Sequence, residues 1–343
     1  MKAGIKKEKV GIQDIAEALN ISASTVSRAL NDNPRISAET KTRVKQTAAR
    51  LGYYQKFPET AEVQQADVIA IVVPSLDNNF YRAVTEGVNG YFKENGFHTF
   101  VVDTNNDKEY KDNFYANFRK YGISGIIDII SDKNTAAADY SIIEKEALPF
   151  VTVCELDENS VFSVVLPDMY QGVQKIVDYL GLLKIDNIAL FLEDKNRPED
   201  FYLFDSLKAA IDTPGGKKMN LSVHYSVLTD IRFTQEVEAV LRSKNPPQVM
   251  LVKNTCSALE VSLLATRLGV DIPSDLLLIA IDTDYKPDGM ASNLSLLKLP
   301  AYEMGLEAGK ILLHQIKNFD TEKKLSVLPS EFILKNSAIR INS

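Results

Sequence analysis

Residues 10–31 read VGIQDIAEALNISASTVSRALN, and the spacing of their apolar side chains decides how the first part of the chain is organised. Ile12, Ile15, Ala16 and Leu19 fall at i, i+3, i+4 and i+7, the stripe of a short amphipathic helix. Asn20 and Ile21 break it. Ser22 has the chemistry to cap a second helix from Ala23 to about Leu30, its hydroxyl accepting from the Thr25 backbone N–H. Ala23, Val26 and Leu30 are expected to face inward, while Ser24, Arg28 and Asn31 point outward with Thr25 and Ser27 beside them. That outer face consists of small hydroxyls, one guanidinium and one amide. It enters a major groove without steric conflict, and Arg28 can bridge guanine O6 and N7 or contact a phosphate. Ser37 is expected to cap a third helix that runs to Leu51, packs through Val44, Ala48 and Leu51, and stops at Gly52. Such a trio is either a helix-turn-helix or an ordinary three-helix bundle.

The wording of the stretch separates the two. D-[IV]-A occurs at Asp14-Ile15-Ala16, S-x-x-T-V-S-R-x-L-N from Ser22 to Asn31, I-S-x-x-T-x-x-[RK]-V from Ile36 to Val44, and L-G-Y at Leu51-Gly52-Tyr53. In this register the stretch closely resembles the reading head of the lactose-repressor (LacI/GalR) family. The resemblance implies a DNA-binding domain over residues 1–57 and a double-stranded operator as partner. Its candidate DNA contacts are Ser22, Ala23, Ser24, Thr25, Ser27, Arg28, Asn31, Arg35, Ser37 and Thr40.

After L-G-Y the family continues Y-x-P-N-x-x-A-R-x-L, a hinge helix that wedges a leucine into the minor groove. This chain departs from that pattern over residues 58–66: the asparagine and the A-R pair are absent, Pro58 stands where a helix would start, and Glu62 falls near the leucine. An acid there repels phosphates and cannot unstack bases. Two readings stay open, a weakened hinge with Val63 as substitute wedge and a plain flexible tether.

Charge follows the same division. Residues 1–57 hold 11 lysines and arginines against 5 acids, net +6, whereas the rest of the chain is net −13 within a total of −7. A basic head on an acidic body is drawn to phosphate at one end only. At 343 residues the chain suits a small domain plus a two-lobed larger one, and 45% hydrophobic residues suffice for a sizeable core. No apolar run is long enough to span a bilayer, and no apolar stretch follows the lysine-rich start, which implies a cytoplasmic protein. Cys154 and Cys256 match no metal spacing and read as free thiols, and three scattered histidines point to no metal site.

From residue 66 onward short apolar runs alternate with amphipathic segments. Strands are expected at 68–73, 99–102, 125–130, 150–153 and 163–166, with helices near 80–95, 110–121 and 140–147. A second series has strands at 187–192, 221–225, 248–252 and 276–281, with helices near 169–180, 201–211, 233–243 and 257–268. Such βαβ repetition with near-continuous apolar strands gives two doubly wound parallel-sheet lobes, with a ligand cleft at the carboxyl ends of their strands. Residues 67–343 form this α/β core, lobe 1 being about 67–164 plus 300–328 and lobe 2 about 165–299 plus 329–343. The layout is similar to the family's periplasmic-binding-protein-like core, with signposts at Asn78-Asn79-Phe80-Tyr81, Asp103-Thr104-Asn105, Ile281-Asp282 and Pro300 with Met304-Gly305.

Loops at the strand ends carry Asn78, Phe80, Asp103 and Ser131 in the first lobe and Asp168, Arg197, Phe201, Asn254, Asp282 and Tyr285 in the second, the candidate effector contacts. An aromatic platform with carboxylates and amides suits a polyhydroxylated ligand, such as a sugar or sugar derivative. The family pattern is nevertheless broken here. Its cleft arginine falls near Glu199, its N-D pair is Asn254-Thr255, its D-D pair is Asp282-Thr283, and the glutamine before the late proline is Leu299. These changes imply a less polar, bulkier or differently charged effector, or the loss of effector binding.

No dinucleotide fingerprint, phosphate-binding loop or nucleophile elbow is present, so no enzyme, cofactor or catalytic residue is expected. The sequence therefore reads as a homodimeric, repressor-type transcription regulator of carbohydrate genes with an effector between its lobes. The alternatives are a solute-binding protein and a regulator that has lost its effector.

Overall fold

The computed structural model describes residues 12–30, 36–37, 40–41, 43–44, 47, 68–130, 140–146, 148–154, 160–195, 197–213, 218–226, 230–283, 293–318 and 322–340. The chain divides into two compact units, Met1–Gln64 and Gln65–Ser343.

In the first unit, α1 (Ile12–Leu19) and α2 (Ala23–Leu30) are joined through Asn20, which sits at φ 54°. The Ile21 N–H donates to the Ala16 carbonyl at 3.1 Å, turning the chain sharply at the end of α1. Ser22 caps α2 as its sequence requires, accepting from Thr25 N–H at 3.1 Å, and Ser37 does the same for Thr40 N–H at 3.2 Å. Ile15, Ala16, Val26, Ala29 and Val44 form the small core. Ala29, not Ala23, completes the inner face of α2. Ala23 is the first residue of that helix and stays exposed, because α2 buries its second turn. The whole linker lies outside the described residues.

The second unit has two lobes, each a six-stranded sheet flanked by helices. In lobe 1 the strands are β1 (Val68–Val73), β2 (His98–Asp103), β3 (Ile123–Ile129), β4 (Phe150–Val153), β5 (Ser163–Asp168) and β11 (Leu325–Pro329), in the order β11-β5-β4-β3-β1-β2 and all parallel. Lobe 2 holds β6 (Asn187–Leu192), β7 (Asn220–Tyr225), β8 (Val249–Lys253), β9 (Leu277–Asp282), β10 (Ser295–Lys298) and β12 (Glu331–Ile333), ordered β12-β10-β9-β8-β6-β7. The edge strand β12 runs antiparallel to β10, an exception to the parallel expectation that arises because β11 ends at the carboxyl edge of the first sheet and the chain enters the second sheet from its carboxyl edge. The central strands β1, β6, β8 and β9 are buried along nearly their whole length, which is why their sequences read as continuous apolar runs.

Helices α3 (Asn79–Glu94), α4 (Lys108–Asn117), α5 (Ser141–Glu146) and α10 (Ala301–Asn318) cover the first sheet. The second is covered by α6 (Met169–Leu182), α7 (Pro198–Ile211), α8 (Ile231–Leu241) and α9 (Thr255–Leu268). Helices α3 and α10 meet backbone to backbone. A Cβ on Gly305 would lie 2.1 Å from the Val84 carbonyl oxygen, and one on Gly87 would lie 2.1 Å from that of Tyr302, so both positions require glycine for this approach. Among the described residues three crossovers connect the lobes: Asp168 to Met169, Lys298 to Ala301, and Pro329 to Glu331. Strand β5 belongs whole to the first sheet and reaches Asp168, beyond the expected boundary near residue 164.

Candidate functional site: an acidic, aromatic-walled cleft between the lobes

The carboxyl ends of both sheets open onto one cavity that encloses about 830 Å³ of atom-free space, its open mouth included. Lobe 1 supplies Asn78, Phe80, Tyr81, Ile130, Cys154, Leu166 and Pro167. Lobe 2 supplies Met169, Glu199, Tyr202, Leu203, Lys253, Asn254, Ile281 and Asp282, with Leu299 on a crossover.

Helix starts place most of the polar groups. Asn78 caps α3, its Oδ1 accepting from Phe80 N–H at 2.8 Å. Asn254, at φ 60°, caps α9 by accepting from Ser257 N–H at 2.8 Å. Asp282 ends β9 and is 5% exposed, and both its oxygens are taken by backbone: Oδ2 accepts from Thr255 N–H at 2.8 Å and Oδ1 from Thr283 N–H at 2.7 Å. Asp282 therefore reaches the cleft but serves first as a strut between β9 and α9.

At the start of α7, Glu199 and Asp200 form an ionic cluster with Lys253, the last residue of β8. Asp200 is fully buried. Its Oδ2 accepts from the N–H groups of Glu193 and Asp194, each at 2.9 Å, and its Oδ1 is paired with the Lys253 ammonium. Lys253 Nζ lies 3.5 Å from Glu199 Oε1. Burial works against the charge of Lys253, but Glu199, Asp200 and Glu193 more than offset it and lift its ammonium above the usual lysine range, so it stays charged. From the other lobe, Tyr81 O–H donates to Glu199 Oε1 at 3.0 Å and ties the two lobes across the cavity. Burial and then the neighbouring Glu199 hold the Tyr81 phenol well above its ordinary range, so it is a neutral donor. The same two causes push the Cys154 thiol up, leaving it protonated and unreactive.

The structure brings together four of the expected effector contacts, Asn78, Phe80, Asn254 and Asp282. Four others do not line the cavity. Asp103 is exposed and spends its carboxylate on the N–H groups of Leu76 and Asn105, holding the loop after β1. Asp168 caps α6 by accepting from Gln171 N–H at 3.1 Å. The Arg197 guanidinium is paired with Glu193. Phe201 is 41% exposed, because the phase of α7 turns its neighbour Tyr202 to the cleft instead. Ser131 and Tyr285 lie outside the described residues. The sequence reading missed Tyr81, Tyr202 and Lys253. A lysine that ends a continuous apolar strand, beside an asparagine already singled out, was the available signal for Lys253. On the head, Ser22, Ala23, Ser24, Arg28 and Ser37 are exposed, Thr25, Ser27 and Thr40 are half-buried, and Asn31 and Arg35 lie outside the described residues.

Residues 11–56, which include α1 and α2, match the family of bacterial regulatory proteins, lacI family, and residues 177–338 match the periplasmic binding protein-like domain. The chain carries a lacI-family N-terminal domain. Its curated relatives include the ribose operon repressor of Bacillus subtilis (strain 168), 26% identical over 94% of this chain and 96% of the relative. Another is the HTH-type transcriptional regulator DegA of the same strain, 23% identical over 98% of this chain and all of the relative. Among solved structures, the Lac repressor dimer bound to operator and the anti-inducer ONPF superposes with a TM-score of 0.70 at 18% identity, covering 97% of this chain and all of that one. The architecture of this chain is thus a helix-turn-helix with a two-lobed, periplasmic-binding-protein-like core. Among the described residues no helix is long and apolar enough to cross a membrane, and no cluster of His, Cys, Asp and Glu could hold a metal ion.

Proposed function

We propose that the chain represses genes of carbohydrate metabolism by binding an operator as a homodimer, and that a small molecule between its lobes sets the affinity for DNA. The observation that carries this reading is the cleft itself. It is walled by both lobes, so a ligand there contacts both and biases their relative arrangement in proportion to its differential affinity. In the head, Arg28 and the hydroxyls of Ser24, Thr25 and Ser27 form the recognition face, with Ser22, Ser37 and Thr40 near the phosphates and Asn31 and Arg35, outside the described residues, as further candidate contacts. The relatives support the assignment, one being a ribose operon repressor and another of known structure a dimer on its operator. The periplasmic-binding-protein-like resemblance alone would also fit a solute-binding protein, but that reading leaves the helix-turn-helix without a role.

A mobility-shift titration of the full chain on duplexes flanking its own gene tests the proposal. Specific sites should bind on the order of 10³-fold or more tightly than a scrambled duplex at the same salt concentration. Equal retardation of both duplexes would contradict it.

A further inference from the structure

The cleft wall differs from what a polyol or an anionic sugar derivative requires. Its surface is mostly carbon, from Phe80, Tyr81, Leu166, Leu203, Ile281 and Leu299. The side-chain acceptors of Asn78, Asn254 and Asp282 are already engaged by backbone N–H groups, and Lys253 is bound to Asp200. A ligand ringed by hydroxyls would leave several of them without partners, a cost of the same order as the hydrogen bonds it could form. Anions fare worse. Glu199 and Asp282 are acidic, and the one base lining the cavity among the described residues, Lys253, is neutralised by Asp200. Arg197 does not line the cavity and is paired with Glu193.

One group remains unmatched. Glu199 Oε1 receives the Tyr81 hydroxyl and the more distant Lys253 ammonium, but Oε2 is buried and has no hydrogen-bond partner among the described residues. Leaving a carboxylate oxygen desolvated and unpaired is costly, and the cost is removed by a donor brought in with a ligand, most strongly by a charged one. Phe80, Tyr81 and Tyr202 line the same cavity, and aromatic rings of this kind attract a cation placed over them.

We propose that the cleft takes a primary amine, with its ammonium on Glu199 Oε2 and its carbon skeleton against Phe80, Tyr81 and Leu299. The proposal rests on the reading of this cleft as the effector site. An arylalkylamine meets both demands, whereas an amino sugar offers the same ammonium but brings the ring of hydroxyls that this wall leaves without partners.

Calorimetric titration of the full chain near pH 7 with two matched pairs separates them, glucosamine against glucose and phenethylamine against 2-phenylethanol. Phenethylamine should bind about tenfold or more tightly than 2-phenylethanol, as a charge-assisted hydrogen bond provides. A preference confined to the glucosamine pair would overturn the reading of the wall. In wild type the preference should vanish when the pH is raised until the amine is deprotonated, a measurement that needs no variant. In Glu199→Gln, verified as folded by circular dichroism, amine and neutral partner should bind within about twofold of each other. Neutral partners binding as well as the amines, or neither amine binding, would overturn the proposal. Leu299→Trp, which fills the cavity, distinguishes the remaining outcomes. Amine binding lost in Leu299→Trp but untouched in Glu199→Gln overturns the amine assignment and keeps the cleft as the effector site. Amine binding untouched in both variants places the ligand elsewhere and overturns both.

Discussion

Replacing Asp282 with alanine removes the acceptor of two backbone N–H groups, those of Thr255 at 2.8 Å and Thr283 at 2.7 Å. Both threonines are buried, 6% and 4% exposed, so water makes good little of the loss. A buried donor left unpaired costs roughly 1–3 kcal/mol, and allowing for some water at the cleft the pair should cost about 2–4 kcal/mol. For a core of this length the unfolding entropy is about 0.6 kcal/mol/K, from roughly 2 cal/mol/K per residue, so the midpoint of thermal unfolding should fall by about 3–7 °C. Asp282→Asn keeps one acceptor and should fall between the variant and wild type. Because the chain has no tryptophan, circular dichroism of the full chain is the natural readout. A midpoint within about 1 °C of wild type would refute the strut argument. If such a variant also lost its ligand response, Asp282 would be acting on the ligand directly.

Three further substitutions probe other parts of the account. Lys253→Met leaves Glu199 and Asp200 without their cation in a largely buried site and should cost about 3–5 kcal/mol in chemical denaturation; a loss below about 1 kcal/mol would mean the cluster is solvated. Gly305→Val forces apart two helices whose backbones touch, and a loss of at least about 1–3 kcal/mol is expected, with an unaltered melting curve contradicting the close approach. Arg28→Ala should weaken specific operator binding by about 1–3 kcal/mol in an anisotropy titration at fixed salt, with the circular dichroism spectrum unchanged. Wild-type affinity in that variant would remove Arg28 from the recognition face.

What the sequence made legible is what physics keeps local. The Ser22 cap and the inner stripe of α1 depend on contacts three or four residues apart, and both appear where the sequence places them. The βαβ order was legible because strands buried on both faces are continuously apolar, as β8 and β9 are. The antiparallel β12 was not, since three residues carry no period. In the cleft, Asn78, Phe80, Asn254 and Asp282 were found from their positions after strands, but the direction of the Asp282 carboxylate was set by the backbone of α9, 27 residues away in sequence. Lys253 reads as a solvated strand end until Asp200, 53 residues away, is seen to hold it. Choosing Phe201 over Tyr202 required the phase of α7, which begins at Pro198, three residues before the expected start.

The central claim is that the occupant of the cleft sets the affinity for DNA. Its most direct test is the operator dissociation constant of the full chain, measured by anisotropy with and without saturating ligand, in wild type and in Leu299→Trp, where the cleft is filled. Coupling between the two sites predicts a change of about fivefold or more in wild type and none in Leu299→Trp. An operator affinity indifferent to saturating ligand in wild type, or one that shifts equally in both proteins, would contradict it.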